Sequence, residues 1–361
     1  MSEQTPPPIP PAWPVPPVQP APLPPIQVIM PPHGRRGRRI LFAVLVALLA
    51  VSVIVNVELL AVAAMGLEDL SQDVLQDGDK DQTIAVYRLS GIIDQEAVRG
   101  FERFARMVHD TPRIKAVVVR VDSPGGEVCS SDEIHRLMLA IRRQRQVPLA
   151  VSMGGVAASG GYYVSAPADL IYAEPTTITG SIGVIAVWPV LEGLLDKAGV
   201  RVIAIRSTDA RVWKARQNFW ETPDQMVLQN LQEMLDRMQD QFEQIVRQGR
   251  GSRLVLRPQS LQVPNEQGQP QTVQVTAPFD GQVYLGRQAM DLGLVDRIGY
   301  LSDASTAAAE LAKLDKPRVV EYSRQKGLLE HLAMGRHSAI DLDPQHLAKL
   351  ASPQVMMLWR P

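Results

Sequence analysis

The chain has 361 residues, 38 acidic against 37 basic side chains, 29 prolines and one cysteine. A near-neutral balance excludes a general nucleic-acid binder, which needs a basic footprint, and a lone Cys129 excludes an intramolecular disulfide framework and any zinc site built on two or four cysteines. Fourteen of the prolines fall in the first 32 residues, so the excess belongs to a tail and the rest has the composition of an ordinary folded protein.

Residues 1–39 read as a Pro-rich disordered tail, because each proline lacks an N–H and pushes the residue before it towards extended geometry. The tail ends in a cluster of Arg35, Arg36, Arg38 and Arg39. From Ile40 to Val57 no charge occurs, close to the roughly 20 apolar residues that span a bilayer as a helix. The segment 40–65 is therefore predicted to be a transmembrane anchor. Arginines before it and Glu58 after it place the N-terminus in the cytoplasm and all later residues outside a cytoplasmic (inner) membrane. A cleaved signal peptide, cut near Ala61-Val62-Ala63, is the alternative; the length of the apolar run and of the tail before it favours the anchor. Residues 66–82, with Glu68, Asp69, Asp73, Asp77, Asp79 and Asp81, read as a solvated acidic stalk.

From Thr83 strand and helix patterns alternate. Residues 84–89 and 116–121 read as strands, the second buried by its β-branched run, and 149–153 as a third. Helical spacing covers 94–109, and a helix over 130–146 is predicted to open on a Ser130…Glu133 capping box. Such alternation implies parallel βαβ units in an α/β fold. A long helix is predicted to open at Thr222-Pro223, its apolar stripe being core or subunit interface. The Gln/Pro-rich stretch 252–278 reads as a surface hairpin or lid, or as an inert loop.

Two loops carry the chemistry. Asp122-Ser123-Pro124-Gly125-Gly126 follows a strand and precedes a helix, where paired glycines let backbone N–H groups converge on negative charge; a plain strand-to-helix turn fits the same residues. Gly154 to Tyr163 follows the next strand and holds Ser159 among small residues, where the serine is either a nucleophile or a helix cap. Side by side in a parallel sheet, the two loops match a nucleophile beside an oxyanion hole. No histidine falls in a triad-like turn, and residues 157–161 read Ala-Ala-Ser-Gly-Gly rather than a nucleophile elbow. A serine can instead use a lysine kept neutral by a dry pocket. Between Ser159 and the long helix stand Lys197, on an amphipathic segment, and Lys214, beside the large apolar Trp213.

Asp122 to Gly126, then Ala158-Ser159-Gly160-Gly161-Tyr162-Tyr163, then Thr179-Gly180-Ser181-Ile182-Gly183-Val184, then Gly281 to Ala289 with Leu292 to Asp296, together resemble the signal peptide peptidase A family. These are membrane-anchored S49 serine peptidases with a ClpP/crotonase-like fold of repeated ββα units. The resemblance runs from about Thr83 to Ala308. It implies Ser159 as nucleophile, Lys214 as general base, Ser181 orienting that lysine, and Gly125, Gly126 and Gly160 as the oxyanion hole, with no cofactor and no metal. It also implies a homo-oligomer in which the lysine of one subunit completes the site of its neighbour, and peptide or protein substrates such as remnant signal peptides or unfolded segments near the outer membrane face. The residues before Lys214 depart from the family pattern, with Trp213 in place of a tyrosine. On this reading the peptidase domain spans 83–315 and a C-terminal extension 316–361. A crotonase-type acyl-CoA enzyme and a non-catalytic membrane scaffold are the rival readings.

Overall fold

In the computed structural model, residues 35–65, 70–216, 218–265, 267–324 and 354–358 are described. The Pro-rich stretch 1–34 and most of the C-terminal extension, 325–353, lie outside them. The chain divides into two compact units, residues 1–62 and 63–361. Most of helix α1 (Arg35–Met65) belongs to the first. Its segment Ile40–Leu59, 20 exposed residues, is long and apolar enough to cross a membrane.

In the second unit, β1 (Leu70–Gln76) and β2 (Asp79–Ser90) occupy most of the stretch expected as a stalk. The chain continues through α2 (Gln95–Asp110), β3 (Ile114–Ser123), the short β4 (Gly125–Glu127), α3 (Val128–Arg145), β5 (Leu149–Ala158) and α4 (Gly160–Ser165). Three short strands follow, β6 (Leu170–Ala173), β7 (Ile178–Gly180) and β8 (Ile185–Val187), then α5 (Glu192–Lys197) and the long α6 (Gln225–Arg250). The Gln/Pro-rich stretch forms an antiparallel hairpin of β9 (Arg257–Pro264) and β10 (Pro270–Ala277). The chain then runs through β11 (Val283–Leu285), α7 (Gly286–Asp291), β12 (Arg297–Ile298), α8 (Leu301–Leu311), β13 (Pro317–Arg324) and β14 (Gln354–Leu358).

The nine-stranded main sheet runs β1-β13-β2-β3-β5-β6-β12, with β7 also on β5 and β11 on β7, and is parallel except at β1 and β11. Strand β13 lies inside it, beyond the boundary at 315 that the sequence suggested, and the Arg88 guanidinium on β2 grips the Glu321 carboxylate of β13 through two hydrogen bonds of 3.0 and 2.8 Å. Successive residues of each strand point to opposite faces. Ala85, Tyr87, Val117, Val119 and Val121 pack against Phe101 and Phe104 of α2 and Ile134 and Met138 of α3. On the other face Ile84, Val86, Ala116 and Val118 meet Ala304, Ala307 and Ala308 of α8, whose small side chains let the helix lie close. Both faces being covered explains the near-continuous apolar strands. The architecture is α/β, a largely parallel sheet covered by helices on both faces.

Two helix starts differ from the sequence reading. Helix α3 begins at Val128, and the Ser130 hydroxyl donates to Glu127 Oε2 at 2.8 Å instead of capping. Helix α6 begins at Gln225 with Asp224 as its cap, the carboxylate accepting from the Val227 amide at 2.9 Å, while the Thr222 amide and hydroxyl both donate to Glu192 Oε2. A carboxylate accepts an amide proton and complements the helix dipole at the same time, so the better acceptor takes the cap position.

Candidate active site

The site is assembled where the sheet changes neighbours. The first half of β5, Ala150 to Met153, pairs with β6, and the second half, Val156 to Ala158, pairs with β7. Its ladder with β3 slips between the pairs Val121–Met153 and Ser123–Ala157. Asp122 fills the slip: its Oδ1 accepts from the Val156 amide at 3.1 Å, and a Cβ on Gly154 would stand 2.9 Å from its Cγ. The motif aspartate thus splices the ends of β3 and β5 together. Ser123 shapes the turn that follows, its hydroxyl oxygen accepting from the Gly125 amide at 3.0 Å.

Gly125 takes φ +100°, a conformation that glycine reaches without a steric cost. Next to it Ile93 binds one side of β4, donating to the Gly125 carbonyl at 3.0 Å and accepting from the Glu127 amide at 2.8 Å. The amide and carbonyl of Gly126, between these two, turn to the opposite side.

Ser159 is the residue after the last β5–β7 pair, Ala158 with Gly180, and its amide donates to the Gly180 carbonyl at 2.8 Å. It is 1% exposed and adopts φ 54°, ψ −117°. A non-glycine residue held in so sparsely populated a region costs on the order of 1–3 kcal/mol, and such residues cluster at functional sites. The cap reading of Ser159 predicts a hydroxyl bonded to the first turn of α4. The structure shows no side-chain cap bond; the backbone carbonyl does that work instead, accepting from the amides of Tyr162 and Tyr163 at 2.9 Å each. The hydroxyl is left for another purpose. Gly160 then packs directly on the glycine turn: a Cβ there would stand 3.1 Å from both Gly125 Cα and the Gly126 amide nitrogen. Nucleophile candidate and expected oxyanion donors are therefore neighbours.

Ser181 follows Gly180 as Ser159 follows Ala158, so the two serines leave paired strands at the same level. Ser181 is also at positive φ, 49°, with its amide donating to the Gln282 carbonyl at 2.6 Å. Strand β11 backs this turn by pairing with β7. The two tyrosines of the serine loop are anchors. Buried Tyr162 donates its hydroxyl to the Leu294 carbonyl at 3.0 Å, and burial pushes its pKa far up, keeping it a donor. Tyr163 donates to Asp132 Oδ1 at 2.6 Å, and burial followed by that carboxylate raises its pKa too. Asp132 and Ile93 gave no sequence signal, because their roles depend on which helix and loop the sheet brings beside them.

Lys214 stands apart from this core. It lies in the turns of residues 208–215 and is exposed. Its carbonyl accepts from Arg206 Nε at 2.7 Å, and Arg206 also binds the Ala215 carbonyl and Glu221. The backbone is thus fastened, but among the described residues no hydrogen bond or ion pair engages the Lys214 ammonium. Around it Ile203 (78% exposed), Ile205 (93%) and Trp213 (47%) turn large apolar side chains to solvent. Within one copy of the chain, then, Ser159, Ser181, Gly125, Gly126 and Gly160 are brought together, and Lys214 joins them through no described contact.

Residues 141–256 match the description of peptidase family S49. A putative signal peptide peptidase SppA of Enterococcus faecium is 30% identical over 268 residues, 71% of this chain and 72% of that protein. The chain belongs to peptidase family S49. As an S49 chain it is a serine-type peptidase, and the matched span holds Ser159, Ser181 and Lys214, with the glycine turn just before it. Protease 4 of Salmonella typhi is 34% identical over 262 residues, 70% of this chain but 38% of that protein, so the chain spans well under half of this longer S49 relative. Among solved structures, a ClpP1 of Listeria monocytogenes superposes with a TM-score of 0.34 at 14% identity, covering 62% of this chain and 94% of that one.

Proposed function

We propose that the chain is a membrane-anchored endopeptidase with a Ser/Lys dyad shared between neighbouring copies, acting on remnant signal peptides or unfolded segments at the outer face of the cytoplasmic membrane. The observation that carries this reading is Ser159: buried, held at φ 54°, uncommitted to capping, and packed with Gly160 against the Gly125-Gly126 turn. In the proposed reaction the Lys214 amine of an adjacent copy, oriented by Ser181, takes the Ser159 proton. The serine oxygen attacks a peptide carbonyl, and the amides of Gly126 and Gly160 hold the resulting oxyanion. Collapse of that intermediate expels the amine with the proton from the lysine, and water then hydrolyses the acyl-enzyme.

The exposed apolar side chains between Ile185 and Trp213 support the sharing, since an uncovered apolar stretch is a place for a second copy to bind. Covering it would also take water away from Lys214, and desolvation favours the neutral amine that a base must be. Among the described residues one helix is fit to cross a membrane, which supports anchoring with the N-terminus and its arginines in the cytoplasm. The full chain in detergent should cleave an apolar leader peptide, and Ser159→Ala should reduce the rate by about 10⁴-fold or more without loss of folding. Undiminished cleavage by Ser159→Ala would refute the assignment.

A further inference from the structure

The turns of residues 208–215 belong to no helix or strand, and side-chain bonds hold them instead. The Lys214 amide donates to the Ala210 carbonyl at 2.8 Å and the Lys214 carbonyl accepts from Arg206 Nε at 2.7 Å, so the peptide units on both sides of the residue are engaged. The next carbonyl, of Ala215, accepts from Arg206 Nη2 at 3.2 Å and from Asn218 Nδ2 at 2.9 Å. Ala215 is itself at φ 53°, a conformation that a non-glycine residue keeps only where its surroundings over-determine it. The side chains that do this holding converge on Glu221. Its Oε2 accepts from Arg206 Nη2 at 3.0 Å and from Asn218 Nδ2 at 3.3 Å, and its Oε1 accepts from Arg216 Nη1 at 3.0 Å. Arg216 pairs through Nη2 with Asp224, the cap of α6. A continuous run of bonds therefore leads from the first turn of α6, through Glu221, to the backbone of Lys214.

The Arg206 and Arg216 side chains are 15% and 22% exposed, and the Glu221 carboxylate between them is the negative charge they share. Without it two partly desolvated guanidinium groups would face each other, and the grip of Arg206 on the two carbonyls would loosen. That grip matters because the Lys214 ammonium has no bond of its own among the described residues, so the backbone alone aims the side chain. A misplacement of about 1 Å in a reacting group can cost on the order of 10²-fold in rate. We propose that Glu221 is a positioning residue for the base: it locks Arg206, Arg206 sets the Lys214 and Ala215 carbonyls, and the amine is aimed before a second copy covers it. The inference rests on Lys214 being the base. Among the described residues no bond of this knot reaches β5, α4 or the glycine turn, so breaking it acts on the delivery of the base and leaves the nucleophile in place.

The test is a double-mutant cycle in the detergent-solubilised full chain, read as the rate at which a fluorophosphonate probe modifies Ser159. Glu221→Gln keeps the shape of the side chain and removes its charge. With Lys214 present it should slow modification about 10–100-fold. In the Lys214→Ala background it should change the residual rate by less than about twofold, since no base remains to misplace. Cleavage of an apolar leader peptide should show the same fall in kcat with KM unchanged, and Glu221→Asp, which keeps the charge, should recover part of the loss. Should Glu221→Gln fail to fold, Arg206→Lys carries the same cycle, because it keeps the charge and loses the two-pronged grip. Equal slowing in both backgrounds, no slowing in either, or slowing that accompanies loss of association between copies would overturn the positioning role and leave Lys214 as the base. Wild-type rates of modification and cleavage in Lys214→Ala alone would overturn both.

Discussion

The two halves of the proposed dyad sit in opposite surroundings. Ser159 stands at the end of a central strand, with apolar cover on both faces of the sheet, two tyrosine anchors in the next turn, and a backbone conformation fixed by β7 and α4. Lys214 stands in the turns of residues 208–215, its carbonyl fastened by the Arg206 side chain, on a stretch that also exposes Ile203, Ile205 and Trp213. A nucleophile needs a rigid platform, since placement within a fraction of an ångström decides the rate. A base delivered from a surface stretch acquires its setting only when something covers that surface. The contrast teaches that one folded copy gives Ser159 a rigid, buried setting and leaves the Lys214 stretch uncovered.

The strongest way to break this comparison is to separate the halves. Ser159→Ala and Lys214→Ala should each be inactive alone, and an equal mixture, allowed to exchange copies, should regain activity approaching about a quarter of the wild-type level if sites form across a random interface. No recovery after demonstrated exchange would place the base within the same copy as its serine. A smaller but still large effect is expected at the turn. Gly125→Ala meets both a forbidden φ and a near neighbour, so cleavage should fall on the order of 10²–10³-fold, the cost of losing an oxyanion donor, measured as kcat at saturating peptide.

Much of the geometry around Ser159 was legible in the sequence because its determinants are local. Ser159, Gly160 and the Gly125-Gly126 turn are small residues at strand ends, and adjacency in a parallel sheet follows from alternation of strand and helix. The cover that the proposed dyad requires over Lys214 was not legible, since on that proposal it comes from another copy, and neither was β14, which lies well away in sequence from the strands it joins. Capping misled at Thr222 because Asp224, two residues on, offers the stronger acceptor. The acidic stretch 66–82 read as a stalk by charge alone, yet β1 finds its partner in β13, on the far side of the domain in sequence.

Lesser effects fall on the platform. The Arg250 side chain is fully buried, with Nη2 2.6 Å from Asp296 Oδ1 and Nε donating to the Gly293 carbonyl at 2.8 Å, so it ties α6 to the segment that also receives Tyr162. Arg250→Ala should destabilise the domain by about 2–4 kcal/mol in denaturant melts, from lost packing and hydrogen bonds of a fully buried side chain, since Arg253 at 3.2 Å still pairs with Asp296. At His135, which meets the Tyr163 ring edge-on at 5.4 Å, burial lowers the pKa against the opposing pull of Asp132. The folded state therefore favours neutral imidazole. Its contribution is present above the unfolded pKa of about 6.5 and is lost as pH falls towards the lower folded value, so the melting temperature should drop from pH 7 to pH 5 and drop less in His135→Gln.

The most direct measurement is mass spectrometry of the chain after reaction with a fluorophosphonate. The account predicts one adduct, on Ser159, formed by the wild-type chain and lost in Ser159→Ala, with Lys214→Ala slowing its formation. An adduct on Ser181, or none on Ser159, would contradict it.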